Sequence, residues 1–211
     1  MITEANREAV AWIEKWPEWP TPALVIYGPK GCGKTHLAHI FLERTAGCLI
    51  DERQLSHCSP DTVLEDNPAA IIDDADEVVG QGFQEDVLHL YNLAREHGRQ
   101  VLLTACAPPG SWSMSLPDLS SRLNSCPAIG IKAPDDAMMA ALLVKLFHDR
   151  QITVDADVVR FAVSRMERSF DAARKLVATI DRVSQSAKRK VSVPLVRAVL
   201  SHPVEPADES G

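Results

Sequence analysis

Apolar and polar positions follow two different rhythms along the chain. Between about residues 20 and 133, short apolar runs rich in β formers alternate with longer amphipathic stretches. The runs are Ala23 to Tyr27, Cys48 to Ile50, Ala69 to Ile72, Gln100 to Thr104 and Ala128 to Ile131. Runs of this length bounded by turn residues read as buried strands. The stretches between them have helical spacing. One runs from Lys34 to Thr45. Phe83 to Glu96 sets Phe83, Val87, Leu90 and Leu93 on one face, and Leu116 to Leu123 is a short third helix. Alternating strands and helices predict a five-stranded parallel sheet covered on both faces. Ahead of it, Ala5 to Lys15 places Val10, Ile13 and Trp16 at helical spacing, and Pro17 and Pro20 end the segment. The Trp12, Trp16 and Trp19 set is read either as packing against this domain or as a contact surface for a partner.

After Pro134 the short strand-like runs stop. Asp135 to Asp149, Asp155 to Glu167, Phe170 to Ser186 and Val193 to Leu200 all read as helices. Asp135, Asp155, Ser169 and Ser192 are suited to their N-caps or first turns. The expected organisation is therefore an α/β domain over residues 1–133, a small all-helical domain over 134–201 and a frayed acidic tail over 202–211.

Composition narrows the function classes. The 211 residues are 45 % hydrophobic and 24 % charged, with a net charge of −7. That balance supports a buried core and excludes disorder as the main state. It also argues against a general nucleic-acid binder, which needs a basic surface. The one compact basic cluster is Lys188-Arg189-Lys190. No apolar run reaches the roughly 18 residues of a membrane span, and no secretory signal pattern follows Met1. Five cysteines (Cys32, Cys48, Cys58, Cys106 and Cys126) have no C-x-x-C spacing. Reduced thiols in a cytoplasmic protein are expected rather than a disulfide framework or zinc site. His36 and His39 share a helix face without a third ligand spaced to complete a metal set.

The clearest chemical signal follows the first strand. Gly28-Pro29-Lys30-Gly31-Cys32-Gly33-Lys34-Thr35 matches the phosphate-loop pattern G-x-x-x-x-G-K-[ST], between a strand and a helix as that pattern requires. Glycines let backbone N–H groups turn inward around a phosphate, and the helix start adds its positive end. Lys34 supplies charge to the β- and γ-phosphates, and the Thr35 hydroxyl is a Mg²⁺ ligand. The cofactor-binding set is Gly28, Gly31, Cys32, Gly33, Lys34, Thr35 and His36, and the expected cofactors are ADP or ATP with Mg²⁺. The third strand ends in Asp73-Asp74. Asp73 is the second candidate for the metal, and Asp74 for polarising the attacking water. Asp76 and Glu77 crowd the same region. The alternative for the acidic pair is an N-cap or turn.

These motifs, together with the helical second domain, resemble an AAA+ ATPase module with its lid. YGPKGCGKTHLAHIF and IIDDADEV are similar to the replication initiator DnaA. LTACAPPGSW, LPDLSSRL, APDDAMMAALLVKLFHDRQI, RMERSFDAARKLVATIDR and VPLVRAVL resemble its Hda/HdaA-type relatives, the regulatory inactivators of DnaA, in their alphaproteobacterial branch. The likeness spans about residues 3–201. It implies that Arg122 in LPDLSSRL is an arginine finger acting on a neighbouring subunit's nucleotide. The plain alternative is a surface arginine paired with Asp118 one helical turn earlier. Arg174 falls at the sensor-2 position, with Arg168 the alternate, and Thr104-Ala105-Cys106 lies at the sensor-1 place. The adenine pocket would involve Ile2–Asn6 and the lid.

The departures from the initiator also carry information. Its sensor-1 segment LTSDR is replaced by Leu103-Thr104-Ala105-Cys106-Ala107, and Asp118 stands where it has a further arginine. Neither Gln54-Leu55 nor Gln84 continues into the aromatic pattern of the family's clamp-binding peptide, which is expected to be missing because the chain starts too late. No helix-turn-helix domain follows the lid, so no direct specific DNA binding is expected. The resemblance implies a regulator that promotes hydrolysis of DnaA-bound ATP in trans, with the sliding clamp, and so limits re-initiation. DnaA and the clamp are the implied partners. A homodimer through the finger face, hiding Arg122, would be an off state. Two other readings predict different behaviour. An autonomous ATPase or DnaC-type helicase loader would turn over ATP alone, and a DNA-binding initiator fragment would bind duplex DNA in a salt-dependent way.

Overall fold

The computed structural model describes residues 4–51, 54–55, 64, 67–187 and 189–201. Ile2, Cys58, Lys188 and the tail from residue 202 onward lie outside the described residues. The chain divides into two compact units, Met1–Lys132 and Ala133–Gly211.

The first unit is built on strands β1 (Ala23–Tyr27), β2 (Cys48–Leu49), β3 (Ala69–Ile72), β4 (Gln100–Ala105) and β5 (Ala128–Gly130). All pair in parallel, in the order β2-β3-β4-β1-β5. Its helices are α1 (Arg7–Glu14), α2 (Lys34–Thr45), α3 (Ala75–Gly80), α4 (Gln84–Glu96) and α5 (Pro117–Asn124), with a 3₁₀ turn at Pro109–Ser111. The three inner strands are almost wholly apolar because helices cover both faces. Val25, Ala70, Ile72, Val101 and Leu103 pack with α3, α4 and α5, while Leu24, Ile26, Ile71 and Leu102 pack with α1 and α2. Phe41 of α2 is fully buried. Trp19 stacks on it at 5.3 Å between ring centroids, and Trp16 meets it edge-on at 6.2 Å. Trp19 also donates to the Trp12 carbonyl. The tryptophan set thus packs against its own domain.

Several boundaries differ from expectation. The first helix spans Arg7–Glu14 rather than Ala5–Lys15, and β2 has two residues rather than three. Ala105 extends β4 by one residue, paired with Tyr27, and β5 stops at Gly130. Helix α3 adds to the helices predicted from periodicity. It is a six-residue turn that starts immediately after the acidic pair, too short to show a periodicity.

The second unit holds four described helices: α6 (Asp136–Asp149), α7 (Ala156–Val163), α8 (Phe170–Ala187) and α9 (Val193–Ser201). Met139, Leu143, Phe147, Val159, Val177, Ile180 and Val196 interlock in its core. Asp135 accepts the Met138 N–H, and Ser169 accepts the Ala172 N–H, so both act as helix caps. Asp155 sits at the N-cap of α7 but makes no side-chain capping bond. Helix α7 ends at Val163 instead of Glu167. Ser164 donates back to the Phe161 carbonyl there, a local bond that competes with helix continuation.

Candidate functional site

The loop Gly28–Thr35 leaves the end of β1 and runs directly into α2. Gly31 and Gly33 have φ of 74° and 103°, a backbone conformation that glycine reaches without strain. Gly28 is required for a different reason. A Cβ there would lie 2.4 Å from the Ile131 carbonyl oxygen and 3.0 Å from Cys32 Sγ. The Gly28 N–H donates to the Ala105 carbonyl at 3.0 Å, which ties the loop to β4 as well. Gly33 stands at the N-cap of α2, and no side chain caps that helix. Its first N–H groups therefore have no side-chain acceptor of their own.

Lys34 is buried, and its Nζ donates to the carbonyls of Gly28 at 2.9 Å and Pro29 at 3.3 Å. The ammonium is thus folded back into the loop that it would serve. Thr35 and His36 begin α2 on its exposed side. Cys32 is buried, and burial pushes its thiol up, so it stays neutral and acts as packing.

Strand order brings the acidic pair to this loop. Strand β4 lies between β1 and β3, and its Thr104 is fully buried beside both. The Thr104 hydroxyl donates to Asp73 Oδ1 and accepts the Asp74 N–H at 2.9 Å. The other Asp73 oxygen, Oδ2, accepts from the Thr35 hydroxyl at 3.0 Å. One carboxylate therefore bridges the end of β3, the central strand and the start of α2.

Asp74 adopts φ 50° and ψ 46° at the N-cap of α3, a left-handed geometry that Asp and Asn tolerate better than most residues. It therefore stands at the helix N-cap, as the alternative reading of the pair has it, but its side chain makes no capping bond. Burial, reinforced by the neighbouring Asp73 charge, pushes its carboxyl above the usual range. Asp76 accepts the Cys106 N–H at 2.9 Å, and Glu77 pairs with Lys30 of the loop at 2.9 Å.

Two oxygen-bearing side chains 3.0 Å apart, Thr35 and Asp73, suit Mg²⁺, which takes oxygen donors and keeps waters and phosphate oxygens in its remaining positions. Among the described residues, Asp74, Asp76 and Cys106 also bring their ligand atoms within 4.8 Å of one another. Burial raises the Cys106 thiol, and a neutral thiol is a poor donor for a hard cation.

Arg122 lies elsewhere in the same unit, on α5. Its Nε and Nη2 donate to the two oxygens of Asp118, at 2.9 and 3.2 Å. Its guanidinium carbon is 5.6 Å from the centroid of the Tyr91 ring. The i,i+4 pairing with Asp118 is therefore present. Pairs of that kind contribute only about 0.3–0.5 kcal/mol. Among the described residues, the partners of Arg122 are Asp118, Tyr91 and, at its carbonyl, the Cys126 thiol, and none belongs to the phosphate loop or the acidic pair. In the other unit, Arg174 is an exposed residue of α8, while Arg168 pairs with Asp136 at 2.9 Å.

The sequence named the loop, the acidic pair and Arg122. It did not indicate that Thr104 would hold Asp73, or that Tyr91 would lie under Arg122. A threonine ending an apolar strand looks ordinary until the neighbour of that strand is known.

Comparison with known proteins agrees with this architecture. Residues 135–200 match the family model described as Hda, lid domain. An uncharacterized protein of Haemophilus influenzae is 26 % identical over 189 residues, covering 85 % of this chain and 82 % of that protein. Domain III of the Thermotoga maritima replication initiation protein DnaA superposes with a TM-score of 0.79 at 18 % identity, over 97 % of this chain and 95 % of that one. DnaA of Aquifex aeolicus, in its AMPPCP-bound form, superposes with a TM-score of 0.70 at 15 % identity, over 89 % of this chain and 67 % of that one. The structural likenesses establish the AAA+ fold, and the lid match narrows it. Residues 135–200 thus match an Hda-type lid domain, and the chain as a whole has the fold of DnaA domain III.

Proposed function

We propose that this protein is a nucleotide-binding regulator that promotes hydrolysis of ATP held by DnaA, acting in trans through Arg122 and together with the sliding clamp, and so limits re-initiation of replication. The observation that carries the proposal is the separation of Arg122 from its own phosphate loop. Its contacts are Asp118 and Tyr91, on α5 and α4, and none belongs to the nucleotide site of this chain. An arginine whose contacts lie off its own phosphate loop is suited to serve another molecule's nucleotide, where a guanidinium stabilises charge developing on the transferred phosphoryl group.

The loop would hold ADP or ATP. Backbone N–H groups of Gly31, Cys32 and Gly33 would face the phosphates, with Gly28 giving the loop its close approach to Ile131. Lys34 would exchange its bonds to the Gly28 and Pro29 carbonyls for phosphate oxygens. Thr35 and Asp73 would hold Mg²⁺, which when bound neutralises charge on the β- and γ-phosphates. Thr104 keeps the Asp73 carboxylate oriented for that task. Asp74 would polarise water, and its raised carboxyl makes it a better proton acceptor than an ordinary aspartate. His36 adjoins Thr35 at the edge of the loop. The sensor-2 role of Arg174 is proposed from its place in the lid sequence alone.

The test is single-turnover hydrolysis of radiolabelled ATP pre-bound to DnaA, with this protein and ADP added, in the presence and absence of DNA-loaded clamp. Acceleration that disappears in Arg122→Ala supports the reading. Equal acceleration by the variant would sink it. Multiple-turnover hydrolysis by the protein alone, abolished by Lys34→Ala, would instead point to an autonomous ATPase.

A further inference from the structure

Arg122 presents five N–H groups in a planar fork. Asp118 takes two of them from one side, through Nε at 2.9 Å and Nη2 at 3.2 Å. Tyr91, itself buried, covers a face of the guanidinium. Among the described residues nothing bonds to Nη1 or to the remaining N–H of Nη2. Two of those three donors, one on each Nη, lie along the end of the fork, the edge that receives two oxygens of a phosphate at once. The side chain keeps 23 % of its surface exposed, so it is open to a partner.

The engaged edge decides between two roles for Asp118. A carboxylate acting as a brake would occupy the end of the fork and compete with phosphate. Asp118 grips the flank instead and leaves the end uncommitted. A flexible arginine otherwise has to be ordered when its target arrives, and an arginine already held in one pose avoids that loss. We propose that Asp118 is a positioning residue for Arg122, fixing the guanidinium against Tyr91 with its end-on edge kept for the phosphates of a nucleotide on another molecule. This rests on the reading above, in which Arg122 acts in trans.

The test uses the full chain and DnaA carrying pre-bound radiolabelled ATP, with clamp on DNA and ADP. The regulator is titrated so that maximal single-turnover rate and half-saturating concentration are obtained separately. Asp118→Asn keeps the size of the side chain but turns one acceptor into a donor facing a donor. It should lower the maximal rate about tenfold, with the half-saturating concentration unchanged to about twofold. Asp118→Glu, which restores the carboxylate, should recover much of the loss. The thermal midpoints of both should stay within about 2 °C of wild type.

Arg122→Ala, run alongside, separates the two ideas. If that variant stimulates like wild type, the trans reading fails. If it is inactive while Asp118→Asn is fully active, the trans reading stands and the positioning role is overturned. A faster Asp118→Asn would identify a brake, and a change confined to half-saturation would identify a docking contact. A fall in thermal midpoint that accounts for the lost rate would make Asp118 a structural residue. Each of these overturns the positioning role.

Discussion

The polar groups around Asp73 are bonded to one another, whereas those around Arg122 are bonded on one side only. Thr35, Thr104 and the Asp74 N–H close a network about one carboxylate, and Lys34 is satisfied by carbonyls of its own loop. Arg122 has a single carboxylate at its flank and a ring at its face. Groups in the first region would exchange these internal bonds for bonds to a phosphate or a cation. The second has donors to spare and exchanges little. Such a difference suits a module in which one region keeps a nucleotide and the other serves a nucleotide held elsewhere.

The sharpest way to break this contrast is to delete each cation and measure both activities. Lys34→Ala should weaken ADP binding by about 100-fold or more in calorimetry, because a point charge on the phosphates is lost. Arg122→Ala should leave ADP binding within about twofold of wild type while removing stimulated hydrolysis. If both variants lost both activities, the two regions would be one site.

A smaller effect tests the network. Thr104→Val keeps the shape but leaves the Asp74 N–H without its acceptor and Asp73 Oδ1 without its donor. It should cost about 1–3 kcal/mol in denaturant unfolding. Mg²⁺-dependent nucleotide binding should fall more than Mg²⁺-independent binding. A neutral result would mean that Asp73 is held by other groups.

The smallest effect concerns Asp74. Its carboxyl is raised in the folded state, so it favours folding at pH values below the ordinary aspartate range and loses that contribution as pH rises through its folded value. Asp74→Asn, which also suits a φ of 50°, should therefore raise the thermal midpoint at pH 7 by about 1–3 °C. The gain should shrink towards zero below about pH 4. A gain of equal size at both pH values would trace it to the backbone rather than to charge.

Much of this was legible in the sequence because its signals are local. The limits of β1 and α2 follow from apolar patterns and the glycines beside them, those of β3 from an apolar run between Pro68 and Asp73, and Asp135 and Ser169 mark two lid helices by their capping chemistry. What was hidden depends on strands distant in sequence becoming neighbours. Thr104 lies 31 residues from Asp73, and only the order β3-β4-β1 brings them together. Tyr91 reaches Arg122 because α4 packs beside α5. The excess length read into α7 reflects a helical periodicity that persists past Val163, where Ser164 turns the chain.

Helix α2 begins at the phosphate loop, and two turns later its Phe41 is held between the indoles of Trp16 and Trp19. A small displacement of that helix would alter the surroundings of both indoles together. The protein thus carries a built-in optical gauge whose ultraviolet emission can follow events at the loop without any label.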